Sequence, residues 1–160
     1  MIACVPLRGE IEVNGYVWAD QGTGHGFLID PGAQGRELTQ WIRRRGLVIE
    51  KILLTHGHFD HIGGIEAIRS EMDIPVYIHE AGEAFLNDPR LNLSCYCSAE
   101  IRVEGACLFR EGQVFSLQGG AGGSLRVIHT PGHTPDSCVF YDEKQGIAFT
   151  GDTIFKRSEE

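Results

Sequence analysis

The sequence predicts one layered α/β domain in which helices cover a sheet. Its 160 residues are enough for one hydrophobic core, and 42% of them are apolar, with 21 glycines, as expected of a globular chain rich in loops. Short apolar strands alternate with amphipathic helices, and neither an internal linker nor a short repeat interrupts them. We therefore expect residues 1–160 to form a single domain.

Three strands are expected before the first helix, at residues 2–7, 13–19 and 27–29. Pro6 places the first strand at a sheet edge, because proline has no N–H to donate to a neighbouring strand. The glycine-rich stretch 21–26 joins the second and third strands as a hairpin turn. Asp30 leaves the third strand just before a Pro-Gly turn, either as a helix cap or as a group that orients a metal ligand.

The middle of the chain predicts two amphipathic helices around a buried strand. The first helix covers residues 36–45 and ends at Gly46, and the second begins at Ile65. The strand between them, at 48–54, shows almost no alternation, as expected when both of its faces are covered. The pattern is weak from 90 to 109. The other expected elements are a strand at 75–78, a short helix at 80–86, and strands at 114–117, 125–128, 137–141 and 146–150.

Charge, hydropathy and cysteine usage argue against several partners and compartments. The net charge of −8 disfavours a nucleic-acid partner. No apolar run approaches the about 20 residues that a membrane span needs, and the start lacks the pattern of a signal peptide. The five cysteines are odd in number and irregularly spaced, which indicates reduced thiols in a cytoplasmic protein.

The strongest sequence signal is the loop that follows the central buried strand. It holds His56, His58, Asp60 and His61, four residues of metal-ligand type within six positions. The two-residue period of extended chain puts His56 and His58 on one side, where both can reach one ion. Asp60 and His61 lie at the start of the next helix and can face a second ion. Imidazole and carboxylate ligands suit zinc and its first-row neighbours, so the loop predicts part of a two-metal centre.

Two later strand ends add residues of the same type. His133 follows a Pro-Gly turn and is the expected third ligand of the first ion, although alone it would be read as a turn residue. Asp152 follows the last strand and is expected to bridge the two ions, although such a residue alone more often caps a turn. His129 is expected to be structural, with a role in the site as the alternative. His25 and His79 are expected to be structural as well.

Two other motifs do not predict a site. The glycines at 119–123 lack the spacing and the strand–helix context of a phosphate-binding loop, so they predict a hairpin turn. Cys95 and Cys97 lack a second cysteine pair, which disfavours a zinc knuckle.

Taken together, the motifs resemble the metallo-β-lactamase superfamily. In family order, the residues that carry the resemblance are Asp30-Pro31-Gly32, Thr55 to His61, Thr130 to Thr134, and Thr150 to Thr153. Within that superfamily the chain is similar to the small, single-domain glyoxalase II-like (hydroxyacylglutathione hydrolase-like) branch. Asn87 to Ser94 is similar to a segment common in that branch.

The resemblance implies an αββα sandwich with the metals at one edge of its two sheets. It implies zinc, as one or two ions, with iron or manganese as alternatives. The implied ligands are His56, His58 and His133 for the first metal, Asp60 and His61 for the second, and Asp152 as the bridge.

The chain departs from the family pattern at its C-terminal end. Family members continue for a few dozen residues past the Gly-Asp-Thr motif, with more sheet, helices and a last histidine ligand. Here the chain ends at Glu160, and no histidine follows His133. We therefore expect a sandwich that lacks the usual C-terminal strand and helices, an incomplete second metal site, and a homo-oligomer that covers the exposed edge. Lys156 and Arg157 are the only late basic residues, and a solvated tail is expected there.

The resemblance also implies a small-molecule thioester substrate such as hydroxyacylglutathione. A bound divalent metal lowers the pKa of a water from about 15.7 to about 7. The hypothesis is that this metal-bound hydroxide attacks the thioester carbonyl while Asp60, the one residue assigned a catalytic role, orients it. No convincing Ser or Cys triad competes with that mechanism.

Two alternatives to a thioester hydrolase remain open. One is a persulfide dioxygenase that holds a single iron through His56, His133 and Asp152. The other is an inactive, truncated domain that binds metal. A nuclease is disfavoured by the acidic charge, and a β-lactamase by Asp152, because those enzymes usually differ at that position.

Overall fold

The described part of the chain forms two β-sheets and four α-helices, which confirms the predicted mixed α/β class. The computed structural model describes residues 1–118 and 123–155. The first sheet has six strands in the order β1-β2-β3-β4-β5-β6, and the second has four in the order β10-β9-β8-β7. The predicted turn at 119–123 falls mostly outside the described residues, as do Lys156 and Arg157.

The strands of the first sheet are β1 (Ile2–Arg8), β2 (Glu12–Ala19), β3 (His25–Ile29), β4 (Val48–Leu53), β5 (Val76–His79) and β6 (Cys107–Phe109). Those of the second are β7 (Val114–Ser116), β8 (Ser124–His129), β9 (Cys138–Asp142) and β10 (Ile147–Phe149). The helices are α1 (Gly35–Arg44), α2 (Phe59–Ile62), α3 (Ile65–Arg69) and α4 (Glu83–Asn87). Short 3₁₀ helices cover Glu80–Gly82, Ser94–Tyr96 and Gly151–Thr153.

The first sheet changes from antiparallel to parallel pairing at β3. The strands β1, β2 and β3 pair antiparallel, as the predicted hairpin requires, whereas β3, β4, β5 and β6 run parallel to one another. As predicted, β1 lies at the edge of the sheet. The parallel strands end at the same side of the sheet, where loops carry functional side chains in α/β proteins.

Two hydrophobic cores cover the two faces of the first sheet. One core joins the sheet to the helices, and all four helices contribute to it, for example through Ile42, Ile62, Ile68 and Leu86. This arrangement explains why β4 lacks a polar face, because its residues pack against both cores.

The other core fills the space between the two sheets and is rich in aromatic residues. Phe27, Phe109, Phe115 and Phe140 are fully or almost fully buried there. The Phe115 ring meets the rings of Phe27, Phe109 and Phe140 at steep angles, with centroids 5.5 to 6.4 Å apart. Edge-to-face contacts of this kind favour one relative placement of the sheets. The placement matters because each sheet carries part of the candidate site.

The structure differs from the sequence-based expectation in two places. The weak region at 90–109 ends in strand β6, which has only three residues and pairs with β5. The helix expected at 80–86 is divided into a 3₁₀ turn and α4. Among the described residues, no helix has the length and apolar character that crossing a membrane requires.

Candidate metal centre

Three loops from the two sheets meet at one edge of the molecule. The loop after β4 carries His56 to His61, the loop between β8 and β9 carries His133, and the turn after β10 carries Asp152. The backbone N–H of Cys138 donates to the carbonyl of Thr55 at 2.9 Å, which joins the two sheets next to the first loop. These connections bring residues that lie far apart in sequence into one site.

The first group of converging atoms comes from three histidines. His58 Nδ1 lies 3.2 Å from His56 Nε2 and 3.0 Å from His133 Nε2. Zn–N bonds of about 2.0–2.1 Å in a tetrahedral site place neighbouring nitrogens about 3.4 Å apart, close to these distances. The three residues predicted for the first metal therefore present their nitrogens to a common point.

The imidazoles of this group favour the neutral form that binds metals. Burial lowers the pKa of His56, and the nearby rings of His61, His58 and His133 lower it further. Burial and His133 also lower the pKa of His58, against the opposing effect of Asp60. Nitrogen lone pairs that face one another at about 3 Å repel unless a proton or a cation lies between them, so the group fits a metal ion.

Asp152 connects the first group to a second one. Its Oδ2 atom lies 3.5 Å from His133 Nε2, and its Oδ1 atom lies 3.2 Å from His61 Nε2. Atoms of His56, His61 and Asp152 also converge within 4.8 Å. Asp60 is more peripheral, with its Oδ2 atom 3.6 Å from His61 Nε2. All six residues predicted as metal ligands therefore lie in one cluster, with Asp152 between His61 and His133.

Asp30 orients His61, which belongs to the second group. Its buried carboxylate accepts hydrogen bonds from Thr55 N at 2.8 Å, from Thr55 Oγ1 at 2.6 Å and from His61 Nδ1 at 3.0 Å. Because Gln34, and not Asp30, precedes helix α1, the helix-cap interpretation of Asp30 is wrong. With its proton on Nδ1, His61 presents the lone pair of Nε2 to the site, as outer carboxylates do for histidine ligands.

The environment of His61 favours a positive charge. Its Nε2 atom is buried and makes no hydrogen bond of good geometry. Burial opposes protonation of the ring, but Asp30, Asp152 and Asp60 outweigh burial and raise the pKa of His61 to about 10. For Asp152, burial alone would raise the pKa. Its interactions with His61, His133 and His58 have the larger effect, so the pKa of Asp152 is lowered. Carboxylates that stabilise a proton at this position also stabilise a metal cation.

Glycines allow the loops to approach the site closely. A Cβ at Gly32 would overlap the main-chain oxygen of Asp60, and a Cβ at Gly151 would overlap the side chain of Thr55. Gly151 also has a φ of +47°, which a residue with a side chain adopts at a cost. These contacts cannot be predicted from the sequence, because they depend on loops that come together only in the fold.

Two clefts give solvent access to Asp60. The larger, of about 650 Å³, is lined by Tyr16, Asp60, His61 and Asp152, among others. The smaller, of about 380 Å³, is lined by Asp60 and Cys97, among others. A small molecule can therefore reach Asp60, His61 and Asp152 through the larger cleft.

The remaining histidines lie outside both groups. His25 Nδ1 lies 2.6 Å from Glu50 Oε1, at the start of β3. The rings of His79 and His129 stack on each other, with centroids 4.0 Å apart. All five cysteines are free thiols, and no group of ligand-type residues found in 1–118 and 123–155 includes Cys95 or Cys97.

Comparison with known proteins places the chain among metal-dependent enzymes. The family model of the metallo-beta-lactamase superfamily matches residues 9–160. The chain is 35% identical to the probable metallo-hydrolase YqgX of Bacillus subtilis, over 92% of this chain and 69% of that protein. It is 26% identical to the hydroxyacylglutathione hydrolase GloC of Haemophilus influenzae, over 97% of this chain and 72% of that protein.

Two crystal structures show the same fold. BLEG-1, a B3 metallo-beta-lactamase, is 37% identical, with a TM-score of 0.85 over 98% of this chain and 74% of that one. TTHA1623, solved in a di-iron-bound form, is 30% identical, with a TM-score of 0.81 over 98% of this chain and 74% of that one.

Proposed function

The chain belongs to the metallo-beta-lactamase superfamily, and on that premise we propose that it hydrolyses thioesters such as hydroxyacylglutathione. The observation that carries the proposal is the pair of ligand-type groups joined by Asp152. The similarity to GloC supports the thioester class, because that relative is a hydroxyacylglutathione hydrolase. The proposed partner is this small-molecule thioester, and neither a nucleic acid nor a membrane is proposed.

The residues present fit a first metal site and part of a second one. His56, His58 and His133 would hold the first ion, and His61, Asp60 and the bridging Asp152 would contribute to the second. A bound divalent metal supplies a nucleophilic hydroxide at neutral pH and polarises the carbonyl that is attacked. We propose zinc as the metal, with iron and manganese as alternatives. Iron is supported by the related TTHA1623, which was solved in a di-iron-bound form.

Residues of the protein would orient the metal ligands and accept a proton from the attacking water. Asp30 holds His61 in the tautomer that presents Nε2, and His133 is brought to His58 by the contact between the two sheets. Asp60 lies at the junction of the two clefts, so its carboxylate can accept a hydrogen bond from the attacking water. In this proposal Asp60 orients the water, receives its proton at a carboxylate oxygen, and returns a proton to the thiolate that leaves when the C–S bond of the thioester breaks.

Hydrolysis of S-lactoylglutathione tests the proposed function. Protein stripped of metal with a chelator should be inactive, and activity should return when zinc, manganese or iron is added. His58→Ala should abolish the metal-dependent rate. His25→Ala should retain it, because His25 contacts Glu50 away from the site. Metal-loaded protein that shows no turnover would contradict the thioesterase proposal and favour the inactive metal-binding domain.

Two further assays separate the rival activities. A persulfide dioxygenase would contain one iron and consume oxygen, with His56, His133 and Asp152 as ligands. The geometry favours three histidines instead, because His58 Nδ1 lies 3.0 Å from His133 Nε2, whereas Asp152 Oδ2 lies 3.5 Å from it. Hydrolysis of a chromogenic cephalosporin tests for β-lactamase activity, which the similarity to BLEG-1 makes a necessary comparison.

The five free thiols support the proposal that the protein works in a reducing compartment such as the cytoplasm.

A further inference from the structure

His133 is the most exposed of the three histidines in the first group. Its side chain is 33% exposed, whereas the rings of His56 and His61 are almost completely buried. His61 is oriented by Asp30 through Nδ1, and His56 Nδ1 lies 3.2 Å from Thr55 Oγ1. Within residues 1–118 and 123–155, the Nδ1 atom of His133 has no comparable partner. The position of His133 therefore depends on how firmly its loop is held.

His129 closes that loop from its base. The loop runs from Thr130 to Ser137, and the N–H of Thr130 donates to the carbonyl of Ser137 at 2.8 Å. The residue before Thr130 adds a second hydrogen bond, because His129 Nε2 donates to the carbonyl of Pro135, also at 2.8 Å. The second bond reaches across the loop to a residue only two positions from His133. His129 thus limits the movement of the segment that carries the candidate ligand.

The ring of His129 is itself anchored by the other sheet. It stacks nearly parallel on the ring of His79, at an interplanar angle of 14°. His79 ends strand β5, is 5% exposed, and packs against Phe109 in the core between the sheets. Its Nδ1 atom accepts a hydrogen bond from Ala81 N, which fixes the orientation of the ring. A series of contacts therefore runs from the first sheet through His79 and His129 to the loop of His133.

We propose that His129 is a positioning residue, which holds the His133 loop so that Nε2 of His133 meets the other nitrogens of the first group. The inference rests on the proposed role of His133 as a metal ligand. It adds a function for a histidine that lies outside both groups of candidate ligands. The predicted consequence is a change in metal affinity, which a purely structural role for His129 would not produce.

Paired substitutions at His129 test the inference. His129→Phe keeps a flat ring for the stack but removes the N–H donor. His129→Gln removes the ring but keeps an amide donor at the same number of bonds from Cα. The loss of one neutral hydrogen bond should weaken zinc binding at the first group about 3- to 10-fold in His129→Phe. His129→Gln should restore affinity to within about twofold of the unsubstituted protein.

Zinc affinity is measured by competition with a chromophoric chelator, and folding by thermal unfolding of the same samples. His25→Phe is the matched control, because it also removes a ring hydrogen bond but lies away from the site. His129→Phe should have no further effect on zinc affinity when His133 is already alanine, because the two substitutions then act on the same ligand.

The outcomes separate this inference from the proposed function. Failure of the unsubstituted protein to bind zinc would remove the proposed metal centre. Normal zinc binding in the unsubstituted protein and in His129→Phe, with loss of thermal stability only, would overturn the positioning role and leave the metal centre intact. An equal loss of affinity in the His25→Phe control would also overturn it.

Discussion

Replacing Asp30 with asparagine should disable the second metal group and leave the first intact. Asp30 Oδ1 accepts from the backbone of Thr55, and asparagine retains an oxygen for that bond. Asp30 Oδ2 accepts from Thr55 Oγ1 and His61 Nδ1, and an amide NH₂ in its place cannot accept either bond. The threonine hydroxyl can rotate and accept instead. His61 can pair with the amide only by moving its proton to Nε2, the atom that faces the site.

The expected loss of metal affinity follows from the one hydrogen bond between Asp30 and His61 that asparagine removes. A buried hydrogen bond to a charged group contributes about 1.5–3 kcal/mol, and about 1.4 kcal/mol is a factor of ten. Asp30 is 1% exposed, so solvent does not weaken the effect. We expect metal affinity at the second group to fall about 10- to 100-fold, the range typical of residues that orient metal ligands. The metal-free protein should also lose about 1.5–3 kcal/mol of stability.

Isothermal titration of stripped protein with zinc measures both sites in one experiment. Asp20→Asn is a suitable control, because Asp20 also accepts three hydrogen bonds, from Gly22 N, Thr23 N and Thr23 Oγ1, but lies on the exposed β2–β3 turn. The control should bind as the unsubstituted protein does. Unchanged affinity and stoichiometry in Asp30→Asn would refute the assignment of Asp30 as the residue that orients His61.

Three other predictions concern stability and can be measured by urea unfolding of metal-free protein. Gly32→Ala should cost about 3 kcal/mol or more, because the new Cβ would overlap the main-chain oxygen of Asp60. Gly132→Ala, in open space, should cost less than about 0.5 kcal/mol, and equal losses would argue against the close approach. Asp136→Asn should stabilise the protein at pH 7 by about 1–3 kcal/mol, because the carboxylate is fully buried and neither oxygen has a hydrogen bond of good geometry. Burial raises the pKa of Asp136, so its favourable contribution is present at low pH and lost as pH rises through that pKa; a gain that grows on acidification would contradict this sign. Finally, despite burial, the surrounding carboxylates raise the pKa of His61 to about 10, so stability should decline between about pH 6.5 and 10, and less steeply in Asp30→Asn. An equal slope in both proteins would show that His61 does not carry the effect.

The local part of the site was accessible from sequence, because its residues are neighbours on one loop. His56 and His58 are two positions apart on extended chain, so their convergence follows from the period of a strand. The bridging position of Asp152 was expected from the family resemblance, and the structure places its two oxygens towards His61 and His133. The first assignment needed only local geometry, and the second depended on the resemblance to the family.

Other features depended on pairing between distant strands and could not be read from sequence. Asp30 was assigned two alternative roles, and the choice between them rests on the parallel pairing of β3 with β4, which brings Asp30 beside Thr55. The link from His129 to Pro135 depends on the path of a loop. Strand β6 has only three residues and is stabilised by its pairing with β5, so its own sequence carried little signal.

Anomalous diffraction from crystals grown with zinc would test the metal centre most directly. Data collected on both sides of the zinc absorption edge should show two peaks about 3.5–4 Å apart. One should lie among His56 Nε2, His58 Nδ1 and His133 Nε2, and the other beside His61 Nε2 and Asp152 Oδ1. Zinc that binds only elsewhere, with no peak among the three histidine nitrogens, would contradict the account.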